Sequence, residues 1–139
     1  MARALTARGF TGPRAMNTAG LRGRAPAFAR LVDGWVYVDL FSDSNPTLAE
    51  AVEKIGPPER LGMNAAKGYD LGRLVAEGLA RAPERSRDGV REGFERIKWM
   101  PAAEGYEGTL LGFGRHDRAA LHGRYLVLRQ WRDGVSIEL

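Results

Sequence analysis

The sequence contains no cysteine. That excludes a disulfide scaffold, a thiolate zinc site, an iron–sulfur cluster and a cysteine nucleophile. It leaves the compartment open, because periplasmic and cytosolic domains alike manage without cysteine. No apolar run approaches the roughly 18 residues of a membrane span, and no stretch reads as a signal-peptide core. The motifs of common catalysts are missing too: no Gly-x-Ser-x-Gly, no phosphate-binding loop ending in Gly-Lys-Ser/Thr and no His-Glu-x-x-His. No catalytic residue, cofactor or metal site is therefore assigned, and the expectation is a protein that is not an enzyme. Acid is absent from the first 30 residues, which hold Arg3, Arg8, Arg14, Arg22, Arg24 and Arg30.

What is there fits one ordinary domain or part of a larger one: 139 residues and 15.3 kDa. The apolar fraction of 44% and charged fraction of 27% are near globular averages and argue against wholesale disorder. The basic first segment raises the thought of an arm for nucleic acid or an anionic membrane, or of a transit peptide. Gly9, Gly12, Pro13, Gly20, Gly23 and Pro26 prevent a long basic helix there. Aromatic side chains do not interleave with the arginines as a single-strand stacking platform requires. Arg also outnumbers Lys throughout, 18 to 3, so the bias is not confined to this segment.

Local signals predict an α/β chain. Arg3–Arg8 reads as a short helix stopped by Gly9, and 10–14 as a strand end or turn through Gly12-Pro13. Residues 17–26 are loop-like, with a brief helix near Ala27–Leu31. Asp33-Gly34 is a turn before the aromatic and β-branched strand Trp35–Leu40. Asn45 is a helix cap and Pro46 a first helical residue, with Leu48, Val52 and Ile55 on one face and Gly56-Pro57-Pro58 as the stop. A longer helix, about Glu59 to Ala82, carries the stripe Leu61, Ala65, Gly68, Gly72, Val75 and Leu79. Two glycines there cost about 1 kcal/mol each in helix propensity. Close approach to another element would offset that, so the stripe is expected to pack tightly. Ser86 caps a third helix with Val90, Phe94 and Ile97 inward and Glu92/Arg96 as a surface pair. Gly108–Phe113 reads as a strand and Arg115–Gly123 as a polar loop. Tyr125–Arg132 and Val135–Leu139 flank Asp133-Gly134, a two-residue hairpin signal demanding positive φ at both positions.

Three constellations hint at chemistry. His116-Asp117 with His122 is the only cluster suited to acid–base or metal work, but a metal needs three or four converging ligands, and the plain reading is a surface loop. Gly112-Phe113-Gly114 is half a dinucleotide fingerprint without the third glycine. Asp39 and Asp43 lie at a strand end, where open α/β sheets hold ligands and where acids also cap the next helix.

The order of short motifs resembles the last third or so of a leucine/isoleucine/valine-binding-type substrate-binding protein, the periplasmic binding protein type 1 of an ABC importer. A helix leads into Gly9-Phe10-Thr11-Gly12-Pro13, and the strand Asp33–Val38 into Asp43-Ser44-Asn45-Pro46. Gly68-Tyr69-Asp70 follows on the long helix with Leu74, Ala76 and Leu79. Then come Gly108-Thr109, the His116-Asp117-Arg118 loop and the Trp131-Arg132-Asp133-Gly134 hairpin. Each is weak alone; together and in order they span nearly the whole chain.

The resemblance implies part of a two-lobed fold with Rossmann-like lobes and a C-terminal β-hairpin. Residues 1–40 would belong to the C-terminal lobe, 41–123 to the returning N-terminal-lobe helices and hinge crossings, and 124–139 to the C-terminal-lobe hairpin. Together they make one incomplete binding-protein domain. It implies no catalytic residue, no metal and no cofactor, a location in the periplasm or otherwise outside the cytoplasm, and ligand-binding residues at Arg14 and Asn17. Implied partners are a small-molecule ligand (an amino acid or organic acid), an ABC permease, and a complementary N-terminal fragment or a second copy. Amino-acid binders of this family carry an acid just after the Gly-Pro turn, where this chain has Arg14. A guanidinium repels an ammonium and favours a carboxylate. Nucleic acid is not an expected partner of such a protein. Two rival readings stay open: a small basic nucleic-acid-binding module using the first 30 residues, and a small α/β enzyme using His116, Asp117, Asp39 and Asp43.

Overall fold

A computed structural model describes residues 1–18, 25–56 and 63–139. In chain order the elements are α1 (Ala2–Ala7), β1 (Ala15–Met16), α2 (Pro26–Ala29), β2 (Val36–Asp39), α3 (Pro46–Ile55) and α4 (Met63–Ala80). They continue with α5 (Arg87–Glu95), β3 (Met100–Pro101), β4 (Leu110–Leu111), β5 (Leu121–His122), β6 (Val127–Arg132) and β7 (Val135–Glu138). The chain divides into two compact units, Met1–Asp39 with Leu126–Leu139, and Leu40–Tyr125. Among the described residues no helix is long and apolar enough to cross a membrane.

The first unit is built on a sheet of order β1-β2-β6-β7. β1 runs parallel to β2, which pairs antiparallel with β6, and β6 pairs antiparallel with β7. The hairpin turn is as expected: Asp133 and Gly134 have φ of 51° and 79°, the two-residue geometry whose twist matches the strands. Asp33 steadies it by accepting the Asp133 N–H at 2.8 Å. Alternation along β6 buries Val127, Arg129 and Trp131 on one face and exposes Leu128 on the other. Trp131 stacks on Tyr37 with ring centroids 5.8 Å apart. Val32 and Trp35 complete this core, against which Ala2, Leu5, Met16 and Phe28 pack.

Arg129 is buried because the hairpin supplies its partners. It donates to the Ser136 hydroxyl at 2.8 Å and the Ser136 carbonyl at 3.1 Å, and its guanidinium lies 3.7 Å from Glu138. The Tyr37 hydroxyl shares the Ser136 hydroxyl at 2.6 Å. Burial holds the Tyr37 phenol above its ordinary pKa, with the bond to Ser136 opposing.

The second unit sets α3, α4 and α5 beside a small antiparallel sheet of order β3-β4-β5. Asn45 caps α3 as expected, accepting the Thr47 and Leu48 N–H groups at 2.9 and 3.2 Å ahead of Pro46. Ser86 caps α5 through the Gly89 N–H at 3.0 Å, and Glu92 pairs with Arg96 on the surface. Leu74, Ile97, Ala102 and Leu111 form the core, flanked by Phe94, Met100, Phe113, Ala120 and Leu121. α4 and α5 meet through glycines. A Cβ on Gly93 would lie 2.1 Å from the Gly78 carbonyl oxygen, and one on Gly78 3.0 Å from the Phe94 ring.

Several expectations change. The strand expected over 108–113 is only Leu110–Leu111, and the loop expected over 115–123 contains β5. Ile97, placed by sequence on the α5 face, lies beyond the helix end and is fully buried. The largest correction concerns α4. Its buried residues are Ala66, Asp70, Leu74 and Gly78, while Gly68, Gly72, Val75 and Leu79 of the expected packing stripe are exposed. The expectations for Pro57, Pro58, Glu59 and Leu61, for the loop over 19–24 and for Arg22 and Arg24 lie outside the described residues.

Candidate functional site

Arg14 and Asn17 bracket β1. Arg14 is half-buried, its carbonyl accepts the Val36 N–H at 3.0 Å, and its guanidinium lies 5.8 Å from the centroid of the Trp35 ring. That stacking holds the cation in place and leaves the planar fork of N–H donors to reach an acceptor. Met16 lies on the same side of the strand by alternation and packs into the Trp35 core. Asn17 falls on the opposite side, exposed, just beyond β1. The two residues are near in sequence, and the strand turns their side chains to different faces.

Asn45 and Asp70, both in the motifs that carried the resemblance, converge on one loop, Ala102–Gly105. While the Asn45 carbonyl oxygen caps α3, its amide donates to the carbonyls of Ala102 and Gly105, each at 3.0 Å. Asp70, 1% exposed, accepts the Ala103 N–H at 2.8 Å and the Glu104 N–H at 3.0 Å. Arg73 lies 3.4 Å from Asp70, donates to the Pro101 carbonyl at 2.7 Å and stacks over Tyr69. Both motif residues are thus structural clamps, whose removal strands buried backbone groups. Their pairing across sequence is invisible to motif reading.

The clamped loop buries Glu104, 4% exposed, with Oε2 lacking a hydrogen-bond partner among the described residues. Burial and the neighbouring Asp70 carboxylate raise its pKa, and Lys67 opposes them. Asp70 is also raised, by burial, against the Ala103 and Glu104 amides and Arg73. Glu104 lines a groove of about 570 Å³ with Lys67, Leu71, Leu74, Leu111 and Tyr125. Leu71 is 60% exposed. Among the described residues nothing lies within 4 Å of a Cβ built on Gly68 or Gly72. The groove therefore continues into a bare apolar face of α4.

Of the remaining residues singled out by sequence, Asp39 is fully buried at the end of β2, Asp43 is exposed, and His116 is exposed. Among the described residues no group of three or more His, Asp or Glu side chains could hold a metal ion. Asp117 and His122 do meet, with Nδ1 of His122 3.9 Å from the Asp117 carboxylate. They share a small pocket with Lys98, Trp99 and the Gly112-Phe113-Gly114 segment. Sequence reading missed Trp99. Its positive φ of 58° has no local sequence signal.

No protein-family model matches the chain, and no curated protein matches it by sequence. Solved structures do match by fold. An extracellular ligand-binding receptor from Rhodopseudomonas palustris HaA2 superimposes with a TM-score of 0.71 at 18% identity, covering 99% of this chain and 43% of that one. A leucine-binding protein from Thermotoga maritima MSB8 gives 0.73 at 17% identity, covering 99% and 39%. A periplasmic binding protein type 1 from Bordetella pertussis Tohama I gives 0.73 at 16%, covering 99% and 41%. The fold is that of part of a type 1 periplasmic binding protein, and the chain spans about two-fifths of the solved chains it matches.

Proposed function

We propose that this chain is the C-terminal part of the substrate-binding component of an ABC importer, acting outside the cytoplasm on amino acids or related small carboxylates. The observation that carries the reading is the bare face of α4. Leu71, Val75 and Leu79 are 60%, 42% and 56% exposed beside two glycines at which an added Cβ would meet nothing within 4 Å among the described residues, in a fold whose solved relatives are more than twice as long. A soluble monomer rarely exposes such a continuous apolar strip. The remainder of a two-lobed fold would cover it, with residues 1–40 and 124–139 in the C-terminal lobe and 41–123 in the other lobe and its hinge crossings. The protein binds rather than catalyses. Arg14, held over Trp35, is the ligand's carboxylate partner; Asn17, on the opposite side of β1, does not share that contact. An ABC permease receives the ligand.

Two measurements test this reading. Without the rest of the fold, the 139-residue chain should self-associate in sedimentation velocity, and the double variant Leu71→Glu/Leu79→Glu should sediment as a monomer. A wild-type monomer with a single sharp thermal transition would overturn the open-face reading. The ligand assignment is read by calorimetry on the longer polypeptide that supplies the rest of the fold. Organic acids should bind better than zwitterionic leucine, and Arg14→Glu should weaken them by about tenfold or more. A preference for leucine, unmoved by Arg14→Glu, would remove Arg14 from the site.

A further inference from the structure

Two motifs that no function absorbed, Gly112-Phe113-Gly114 and the Asp117/His122 pair, line one pocket of about 170 Å³ with Lys98 and Trp99. Trp99 is 63% exposed, whereas tryptophan is highly buried on average. Its backbone is also in the left-handed region, at φ 58°, where a bulky residue is strained and where strain clusters at ligand sites. Gly112 makes that position accessible: a Cβ there would press on the Ile97 carbonyl at 3.3 Å and the Trp99 nitrogen at 3.4 Å.

The polar groups around the indole are held in place. His122 meets Trp99 edge to face with centroids 5.7 Å apart. Its Nε2 donates to the Gly112 carbonyl at 3.1 Å, which turns Nδ1 towards Asp117. Asp117 accepts the Ala119 N–H at 3.0 Å, and the Lys98 ammonium donates to the Phe113 carbonyl. Among the described residues no carboxylate pairs with Lys98.

We propose that this pocket binds one pyranose ring of a neutral sugar, with the C–H face of the ring on Trp99 and its hydroxyls shared between Asp117 and Lys98. The pocket presents a carboxylate and an ammonium together, so an ion of either sign gains at one and loses at the other. A neutral polyol, donor and acceptor at once, satisfies both. A zwitterion would also satisfy both, but this open pocket screens its charges and gives its side chain no enclosure. A flat, exposed indole instead matches the flat apolar face of a pyranose.

Saturation-transfer NMR on the full chain tests this with D-glucose, D-galactose and N-acetylglucosamine, and with leucine and acetate as charged competitors. The method reads ligand protons whether the chain is monomeric or associated, so its failure is independent of the importer reading. Ring protons of at least one sugar should receive saturation, with an affinity about tenfold weaker in Trp99→Ala and unchanged in His116→Ala. Asp117→Asn, which removes the charge but keeps an acceptor, should retain sugar binding. No transfer to any of the three sugars would overturn the proposal. So would loss of the sugar signal when leucine or acetate is added, or a response that survives Trp99→Ala.

Discussion

The two faces of α4 obey opposite rules although they belong to the same 18 residues. One face is closed by this chain: Ala66, Asp70, Leu74 and Gly78 are buried against the Ala102–Gly105 loop, the small sheet and α5. The other carries Gly68, Leu71, Gly72, Val75 and Leu79 and meets nothing comparable among the described residues. Both faces use glycine. On the closed face the absent Cβ lets two helices touch; on the open face the same absence serves no contact among the described residues.

The closed face should break hardest. A methyl group on Gly93 would sit 2.1 Å from the Gly78 carbonyl oxygen and 2.9 Å from the Ala82 nitrogen, both backbone atoms that cannot rotate away. Gly93→Ala should therefore force α4 and α5 apart and cost about 3 kcal/mol, an overpacking penalty at the upper end of the usual range. Denaturant melts would read it directly. Gly78→Ala meets the Phe94 ring, which can shift, and should cost less. Equal stability of Gly93→Ala and wild type would mean that the helices do not cross this closely.

The loop that the closed face clamps makes a pH prediction of smaller size. Glu104 and Asp70 both have folded-state pKa values above their ordinary 4.5 and 3.8. The folded state thus holds these protons more tightly than the unfolded chain does. Their contribution to stability is complete below about pH 4 and is lost as pH rises through the raised values. Glu104→Gln removes a buried charge whose Oε2 has no partner among the described residues. It should stabilise the protein at pH 8 by about 1–3 kcal/mol and flatten the loss of stability as pH rises above the ordinary carboxylate range. Chemical denaturation at both pH values checks this. A Gln variant less stable than wild type at pH 8 would mean that the carboxylate is satisfied by a partner elsewhere.

What was legible in the sequence was mostly local. Asn45 capping a Pro46 helix and Asp133-Gly134 turning a hairpin depend on residues within three positions of each other, and both occur. The second half of Asn45's role spans 57 and 60 residues, to Ala102 and Gly105, and no spacing rule reaches that far. Arg129 falls at an inward position of an alternating strand, where an apolar residue is the default. Its burial becomes acceptable only once the hairpin register brings Ser136 and Glu138 to it. In α4, periodicity correctly placed Gly68, Gly72, Val75 and Leu79 on one face. It could not say that no described element covers that face, because a helical period reports which residues share a face and not what lies against them.

The open face supplies the smallest effect and the sharpest one, because its sign differs from that on the closed face. Gly72 lies in the middle of α4, and a Cβ added there would have nothing within 4 Å among the described residues. Alanine there loses less backbone entropy on folding and adds no clash, so Gly72→Ala should stabilise the isolated chain by about 1 kcal/mol. The same methyl group should weaken any partner that seats closely on the glycine strip, whether the rest of a binding-protein fold or a second copy of this chain. A thermal melt at low protein concentration reads the first effect, and sedimentation across a concentration series reads the second. A rise in melting temperature together with weaker self-association would assign Gly72 to an interface that this chain leaves open. A fall in melting temperature at low concentration would instead mean that another segment of the same chain already covers the strip, and the distinction between the two faces of α4 would disappear.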